Sequence, residues 1–362
     1  MHLLKSLRVA LGLVISSAIV VGCGSSSPQP SPVEPGLPFA FRSNVSAVHP
    51  SREKSWMLPG AQKQSNLLYI SNPGSSDVTV YTYLNGGGFT LVGTLTGFSK
   101  PTGMCTDNAG NVWIPDYGTG YLYEYQHGGT TPIDSIKQHT GLPYDCAVDP
   151  TTGNLAVANQ HPNAKYGAKG LVDVYSLKGA KGGGSYSTAS GFKNVYFVAY
   201  DNKSNLYVDA IPCPPSGCGS LNSKPKHLGA EQGRSQYYLP GLFELSNGGS
   251  LFTQVTISGA TLNSPSAINW VQPTLLLGDQ NFQGQGTNGA YKLLVSGSTA
   301  TVVGTLPFKG TQQAYGFWRR AGRVVVPDYS GNIVRVYSLS DGSLVSTLTT
   351  GISLPFGAVV SQ

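Results

Sequence analysis

Residues 326–337 read VPDYSGNIVRVY, and residues 114–125, 212 positions earlier, read IPDYGTGYLYEY. In both, a short apolar run ends on Asp-Tyr, a small turn follows, and a second run returns toward a final Tyr. Apolar runs rich in β-branched and aromatic residues, bounded by Gly, Asp and Asn, are strand signals. The few residues between the runs force the second strand back beside the first. A sentence repeated at this distance predicts a chain built from copies of one unit.

Six segments fit the pattern. They are LLYISN from Leu67, VWIPDY from Val112, LAVANQ from Leu155, LYVDAI from Leu206, LLLGDQ from Leu275 and VVVPDY from Val324. Marked at Ile70, Ile114, Val157, Val208, Leu277 and Val326, they are spaced by 44, 43, 51, 69 and 49 residues. Each has a strand upstream that starts near Pro-x-Gly or a variant, such as KPTGMCTDNAGN and LPYDCAVDPTTGN. The turns DNAGN, DPTTGN and DNKSN supply the Asn and Gly that hairpins require. A fourth strand is legible in FTLVGTLTGF, LFTQVTISGA, ATVVGTLPF and SLVSTLTTG.

Four short antiparallel strands in roughly 40–50 residues is the period of a β-propeller blade. The chain ends on LPFGAVVSQ, a first strand with no second, and the repeats begin on LLYISN, a second strand with no first. Pairing the two would close the ring and remove exposed sheet edges. The expectation is an all-β, six-bladed propeller of four-stranded antiparallel blades, closed by the C-terminal strand on the N-terminal blade. Seven blades is the alternative, because the fourth unit is long and irregular.

The succession Pro-x-Gly, strand, Asp-x-x-Gly-Asn, strand, Asp, turn, strand resembles the NHL and regucalcin/gluconolactonase type of six-bladed propeller over roughly residues 65–362. The resemblance implies an architecture. For regucalcin-like members it also implies a lactonase metal site of one Glu, two Asn and one Asp near the channel mouth. The matching strand-start positions here read Gly103, Asp145, Phe197, Ala267, Gly316 and Gly357, and of these only Asp145 can ligate.

Residues 1–22 read as a lipoprotein signal. Lys5 and Arg8 precede an apolar stretch at 9–22, which ends on Val20-Val21-Gly22-Cys23, similar to a bacterial lipobox. Cys23 is the expected lipidation site. Residues 23–64 form a Ser/Pro-rich tether and lead-in, and 65–362 the propeller. Gly24, rather than Asp, fits outer-membrane sorting in a Gram-negative cell. Without Lys5 and Arg8, 21 basic and 17 acidic residues remain, for +4. The basic residues are scattered, which excludes a nucleic-acid stripe. Charged residues are 11% of the chain against roughly 25% in an average protein, so long solvated helices are not expected.

The ends of second strands, the starts of first strands and the loops between second and third strands share one face. Three of those loops, at 160–170, 211–238 and 280–289, are long, which marks that face as the working one. The same face receives Asn72, Asp116, Asn159, Asp279 and Asp328, with Asp209 one position off register. It also receives Tyr144 and Phe356 after prolines, Tyr196 and Tyr315 at the equivalent positions where the proline is missing, and Tyr117 and Tyr329 after the aspartates. The ligand-binding candidates are therefore Asp116, Tyr117, Tyr144, Asp145, Asn159, His161, Tyr196, Asp279, Tyr315, Asp328 and Tyr329. Asp and Asn at such turns also hold backbone amides. Asp116, Asp145, Asp279 and Asp328 are the weak candidates for a divalent cation; no cofactor is expected. There is no G-x-S-x-G and no H-E-x-x-H. Cys213 and Cys218 flank PPSG and are expected to pair as a disulfide in an exported protein. Cys105 and Cys146 fall one position out of register in neighbouring first strands, so both are expected to be buried thiols. The resulting expectation is a monomeric, lipid-anchored envelope module, periplasmic or at the cell surface, that binds a glycan, a small ligand or a protein on its long-loop face. A regucalcin-like hydrolase and an architectural protein are the alternatives.

Overall fold

The structure, a computed structural model, describes residues 54–84, 87–160, 170–176, 183–215, 218 and 239–362. The signal segment, Cys23, most of the tether, His161 and most of the loops 160–170 and 211–238 lie outside the described residues. Apart from one 3-10 turn at Ala61–Lys63, the described elements are strands. Among the described residues no helix is long and apolar enough to cross a membrane.

The second strands of the repeats are β2 (Leu67–Asn72), β6 (Val112–Asp116), β10 (Leu155–Gln160), β14 (Leu206–Pro212), β18 (Thr274–Phe282) and β22 (Arg323–Asp328). They are buried almost throughout. That explains their continuous apolar spelling: a strand with a sheet packed on each side has no solvent face to alternate toward. The outer strands β8 (Pro132–Lys137), β16 (Thr253–Ser258) and β24 (Leu344–Leu348) are largely exposed instead, with a single buried residue in each.

Strands β5 (Cys105–Thr106), β6, β7 (Tyr121–Tyr125) and β8 form one four-stranded antiparallel sheet. A second comprises β9 (Leu142–Val148), β10, β11 (Leu171–Tyr175) and β12 (Gly183–Tyr186). A third comprises β21 (Trp318–Arg320), β22, β23 (Ile333–Ser338) and β24. The C-terminal strand β25 (Ala358–Ser361) pairs antiparallel with β2, in register Leu67↔Ser361 to Ile70↔Ala358. With β3 (Asp77–Tyr83) and β4 (Phe89–Leu95) it makes the sheet that joins the two ends of the described chain. A short strand β1 (Trp56–Met57), upstream of the repeats, covers the edge of β4.

One arrangement departs from separate four-stranded sheets. The units β13 (Phe192–Tyr200) to β16 and β17 (Pro265–Val271) to β20 (Thr299–Pro307), the latter including β19 (Thr287–Ser296), fuse into one eight-stranded sheet. Their outermost strands β16 and β20 run parallel, Thr256↔Thr299 to Ser258↔Thr301. Both are Thr/Val-rich edges with unpaired backbone groups, and pairing satisfies what would otherwise be a sticky edge.

The innermost strands β5, β9, β13, β17, β21 and β25 contact one another in turn, and β25 returns to β5. This is a propeller-like arrangement of four-stranded sheets. Side chains interleave between neighbouring sheets. One cluster holds Cys105, Trp113, Leu122, Ile136, Cys146, Leu155 and Val157. Each such large side chain contributes about 1.5–3 kcal/mol by leaving water.

The inner hairpins turn on a repeated device. Asp107 Oδ1 accepts from the amides of Ala109 and Asn111, and Asp201 Oδ1 accepts from those of Lys203 and Asn205. Gly110 supplies the positive φ of the first turn, +83°, whereas the third turn places Ser204 at +65°.

Candidate functional site

Asp116, Asp279 and Asp328 are fully buried. Asp116 accepts from the amides of Ser99 (2.9 Å), Lys100 (2.7 Å) and Gly118 (3.1 Å), and from the Thr119 hydroxyl (2.9 Å). Asp279 accepts from the amides of Asn263, Ser264 and Asn281 at 2.9–3.0 Å. Asp328 takes the amides of Gln312, Gln313 and Gly331 and pairs with Arg335. Asn72 does the same work with an amide side chain, accepting from Ser353 N at 3.2 Å and donating to Gly351 O at 3.3 Å. These four second-strand ends thus pin the segments that lead into their own first strands. Two oxygens with several lone pairs suit a cluster of amides that no strand satisfies. These side chains are locks, and their oxygens are already engaged. Asp116→Ala would strand the amides of Ser99 and Lys100. The expected loss is about 3 kcal/mol, with Asp116→Asn losing less because it keeps one acceptor oxygen. Chemical denaturation of the two variants checks the order.

Asn159 departs from this pattern. Its Nδ2 donates to Gln138 Oε1 (3.0 Å) and Asp173 Oδ2 (2.9 Å). Its Oδ1, Gln138 Nε2 and Gln160 Nε2 are buried without a partner among the described residues.

The aromatic candidates come together. Tyr144 lies edge-on to Phe356 (5.1 Å between ring centroids), Phe197 (5.3 Å), Tyr196 (6.0 Å) and Tyr117 (6.2 Å). Tyr315 stacks on Phe356 at 4.8 Å and meets Tyr329 at 5.2 Å. Tyr144, Tyr196, Tyr315 and Phe356 are buried, with Tyr117 and Tyr329 half-buried at their edge. Burial drives the Tyr144 hydroxyl well above its ordinary range, so it stays protonated. The sequence pattern leaves two readings open, packing between blades and an aromatic rim; the rings pack against one another and plug the axis on the strand-start face.

Beyond the plug the axis is hollow. A cavity of about 430 Å³ is lined by the inner strands from Gly103, Asp145, Phe197, Ala267, Gly316 and Gly357 to Asn108, Pro150, Tyr200, Trp270, Ala321 and Gln362. The first of these groups is buried, whereas Asn108, Pro150, Ala321 and Gln362 are exposed. The cavity therefore opens on the hairpin-turn face, opposite the long loops. A Cβ on Gly103 would collide with Asp145 Oδ1, and one on Gly357 would lie 2.5 Å from Thr102 O. These glycines let the inner strands close up at the floor.

Asp145 sits on that floor, 7% exposed, and accepts from Val198 N at 3.1 Å across to the next sheet. Asp209, 0% exposed and not among the residues that line the cavity, lies close enough to feel its charge. The pairing Val195↔Ala210 and Val198↔Val208 leaves Tyr196 and Phe197 opposite Asp209, a β-bulge. The bulge frees the Phe197 amide, which donates to Asp209 Oδ1 at 2.7 Å. Asp209 Oδ2 has no partner among the described residues. Desolvation raises Asp145 to about 8. Burial, and then the charge of Asp145, raise Asp209 well above the ordinary carboxylate range. The one-position offset of Asp209 in the repeat was its signal: the offset turns its side chain away from the lock position, which Ala210 occupies.

Cys105 and Cys146 are not free thiols. They form a disulfide, with Cα atoms 5.6 Å apart, between the inner strands of adjacent sheets. The opposite orientation expected from their register is correct and leads to the opposite conclusion. In stacked sheets one face of each meets the reverse face of its neighbour, so an offset of one makes two side chains face each other. Cys213 and Cys218 form the expected second disulfide. Among the described residues no group of three His, Cys, Asp or Glu is placed to hold a metal ion, so Asp116, Asp145, Asp279 and Asp328 do not converge. His161 lies outside the described residues.

No protein-family model matches the chain. A stretch of 111 residues is 30% identical to peptidyl-glycine alpha-amidating monooxygenase A of Xenopus laevis, covering 28% of this chain and 11% of that protein. Among solved structures, a chain in the crystal structure of a nidogen/laminin complex superposes with a TM-score of 0.58 at 14% identity. The superposition covers 82% of this chain and 98% of that one. At that identity the likeness is one of fold, and the fold is a β-propeller.

Proposed function

We propose that the chain is a ligand-binding propeller of six four-stranded blades, NHL- or regucalcin-like, held at a bacterial envelope membrane by a lipid on Cys23. Its binding site is the central cavity. The observation that carries this reading is the axis itself: closed at one end by Tyr144, Tyr315 and Phe356, hollow and accessible at the other. Pockets of this size, largely preformed and carrying a few convergent polar groups, are where small ligands bind. The eight-stranded sheet counts as two blades because only its outer strands join.

The hydrolase alternative has less support, since Asp116, Asp279 and Asp328 already hold backbone amides or an arginine. A protein partner on one face is the second reading, favoured by a structural neighbour that was itself seen in a complex.

Ala147 lines the cavity, is partly exposed and has room beside it. Ala147→Trp is expected to leave folding intact and to abolish the thermal shift produced by any small ligand found in a screen of glycans, amines and carboxylates. Ligands that still shift the variant would overturn the cavity as the site. For the anchor, Cys23→Ser is expected to move the protein from the membrane to the soluble fraction and to abolish labelling by radioactive palmitate; unchanged labelling sinks it.

A further inference from the structure

We propose that the gap between the β21–β24 sheet and the sheet of β25, β2, β3 and β4 binds a dianionic phosphate group, held by Arg320 and Arg323 from one side and by the Tyr83 hydroxyl from the other. The site lies beside the cavity, at whose mouth Arg320 also stands, and does not rest on the cavity reading.

The placement follows from strand parity. Across the β21–β22 hairpin Trp318 pairs with Val325, and Arg320 with Arg323. Side chains two apart along a strand share a face, so all four point the same way. Trp318 and Val325 pack into one cluster with Leu68, Tyr81 and Tyr83 of the neighbouring sheet. The two arginines therefore face that sheet as well, at its hairpin-turn end. There the register Leu68↔Tyr81, Leu67↔Thr82 runs on to Asn66 and Tyr83, joined by Tyr83 N donating to Asn66 O at 3.2 Å. Arg320 crosses the gap and donates to Asn66 Oδ1 at 3.1 Å.

Charge in this gap does not balance. Arg320 and Arg323 are like charges directly opposite each other, an arrangement that by itself destabilises a hairpin. Among the described residues the only ion pair is Arg335–Asp328, so no carboxylate is paired with either arginine. Both are half-buried, and Arg323 Nε is buried with no partner among the described residues. Tyr83 is 2% exposed, and its hydroxyl is also buried without a partner among them. Burial raises that hydroxyl above its ordinary range, and the charges of Arg323 and then Arg320 draw it back down, so both guanidiniums stand near it. A buried N–H and a buried O–H without acceptors, beside two cations without a counter-charge, call for an acceptor that carries negative charge. A phosphate dianion matches two guanidiniums in charge, and its tetrahedral oxygens accept from donors on two sheets at once. A carboxylate brings one charge and two oxygens in a plane. Arg319, between Trp318 and Arg320, lies on the opposite face of β21, is exposed and lines the cavity mouth.

The test is thermal unfolding of the full chain in sodium phosphate, sodium acetate and sodium chloride at equal ionic strength and pH 7.5, with the phosphate affinity taken from calorimetric titration. Phosphate is expected to raise the melting temperature above its value in acetate or chloride. Arg323→Gln should weaken phosphate by roughly ten-fold or more, and Tyr83→Phe by a smaller factor. Arg319→Gln, which removes the same charge from the other face of the strand, should leave the affinity unchanged. Without phosphate, Arg323→Gln should melt no lower than the parent, because it removes one of two facing like charges. Equal melting temperatures in phosphate and in acetate overturn the proposal, and this comparison needs no variant to fold. So does an Arg319→Gln variant that loses as much affinity as Arg323→Gln, since the effect would then be one of net charge. Glycerol 3-phosphate separates the two sources of the group. Tighter binding than inorganic phosphate assigns the site to a phosphate carried on a larger molecule, and weaker binding assigns it to the free ion.

Discussion

The stability of the folded chain is expected to fall as pH rises from about 4 to about 8, and Asp145→Asn is expected to remove most of that fall. Asp145 is an acid raised from 3.8 to about 8 by burial. Within that interval the folded protein keeps a proton that the unfolded chain has lost. The sign follows directly. Its contribution to stability is fully present below the unfolded value, declines as pH rises, and is gone once pH passes the folded value. The slope for one such group is about 1.4 kcal/mol per pH unit, so the whole interval is worth on the order of 5 kcal/mol. Asp209 acts in the same sense, and once Asp145 has ionised its proton is still harder to remove. Asn at 145 can still accept from the Val198 amide but cannot ionise. The variant should therefore match the parent near pH 4 and exceed it by several kcal/mol at pH 9. Urea denaturation of both proteins from pH 4 to pH 9, disulfides intact, gives the difference curve. Parallel curves would mean that Asp145 titrates as an ordinary exposed carboxylate.

The repeat was legible because burial on both faces of β2, β6, β10 and β22 forces unbroken apolar spelling. The pairing of β2 with β25 was legible because each end of the chain spells half of a hairpin. The union of β16 with β20 was not, since it depends on how far two edges reach and on no side-chain pattern. Asp116, Asp279 and Asp328 were readable as a set on one face. Each bonds an amide of its own turn, as turn chemistry suggests, and also amides 15–17 residues upstream, a distance that a local turn signal does not encode. The aromatic positions were legible and their role was left between packing and a rim, because ring size decides whether six inward positions leave a rim or fill the axis. Loop length pointed to the strand-start face, yet the cavity opens on the other. Long loops mark where sequence has room to vary, and their length carries no information on where the inner strands leave a hollow.

Loss of the Cys105–Cys146 disulfide should destabilise the propeller by about 4 kcal/mol, from the chain entropy of a loop whose ends are 41 residues apart. The same relation gives about 2 kcal/mol for Cys213–Cys218, whose ends are 5 residues apart. The first bridge does something the second does not. It ties β5 to β9, the inner strands of two sheets, inside a cluster that includes Trp113 and Leu155. Cys105 is 2% and Cys146 3% exposed, so alanine at both positions removes the link while keeping the surroundings apolar. The double variant Cys105→Ala/Cys146→Ala should melt roughly 10 °C lower, at about 2–4 °C per kcal/mol for a domain of this size. The pair Cys213→Ala/Cys218→Ala should lose about half as much. Calorimetry of the two double variants gives the order. Equal losses would show that the constraint lies in local loop geometry and not in joining sheets. A loss under 1 kcal/mol at 105 and 146 would show that the packing of the sheets already supplies the constraint ascribed to the bond.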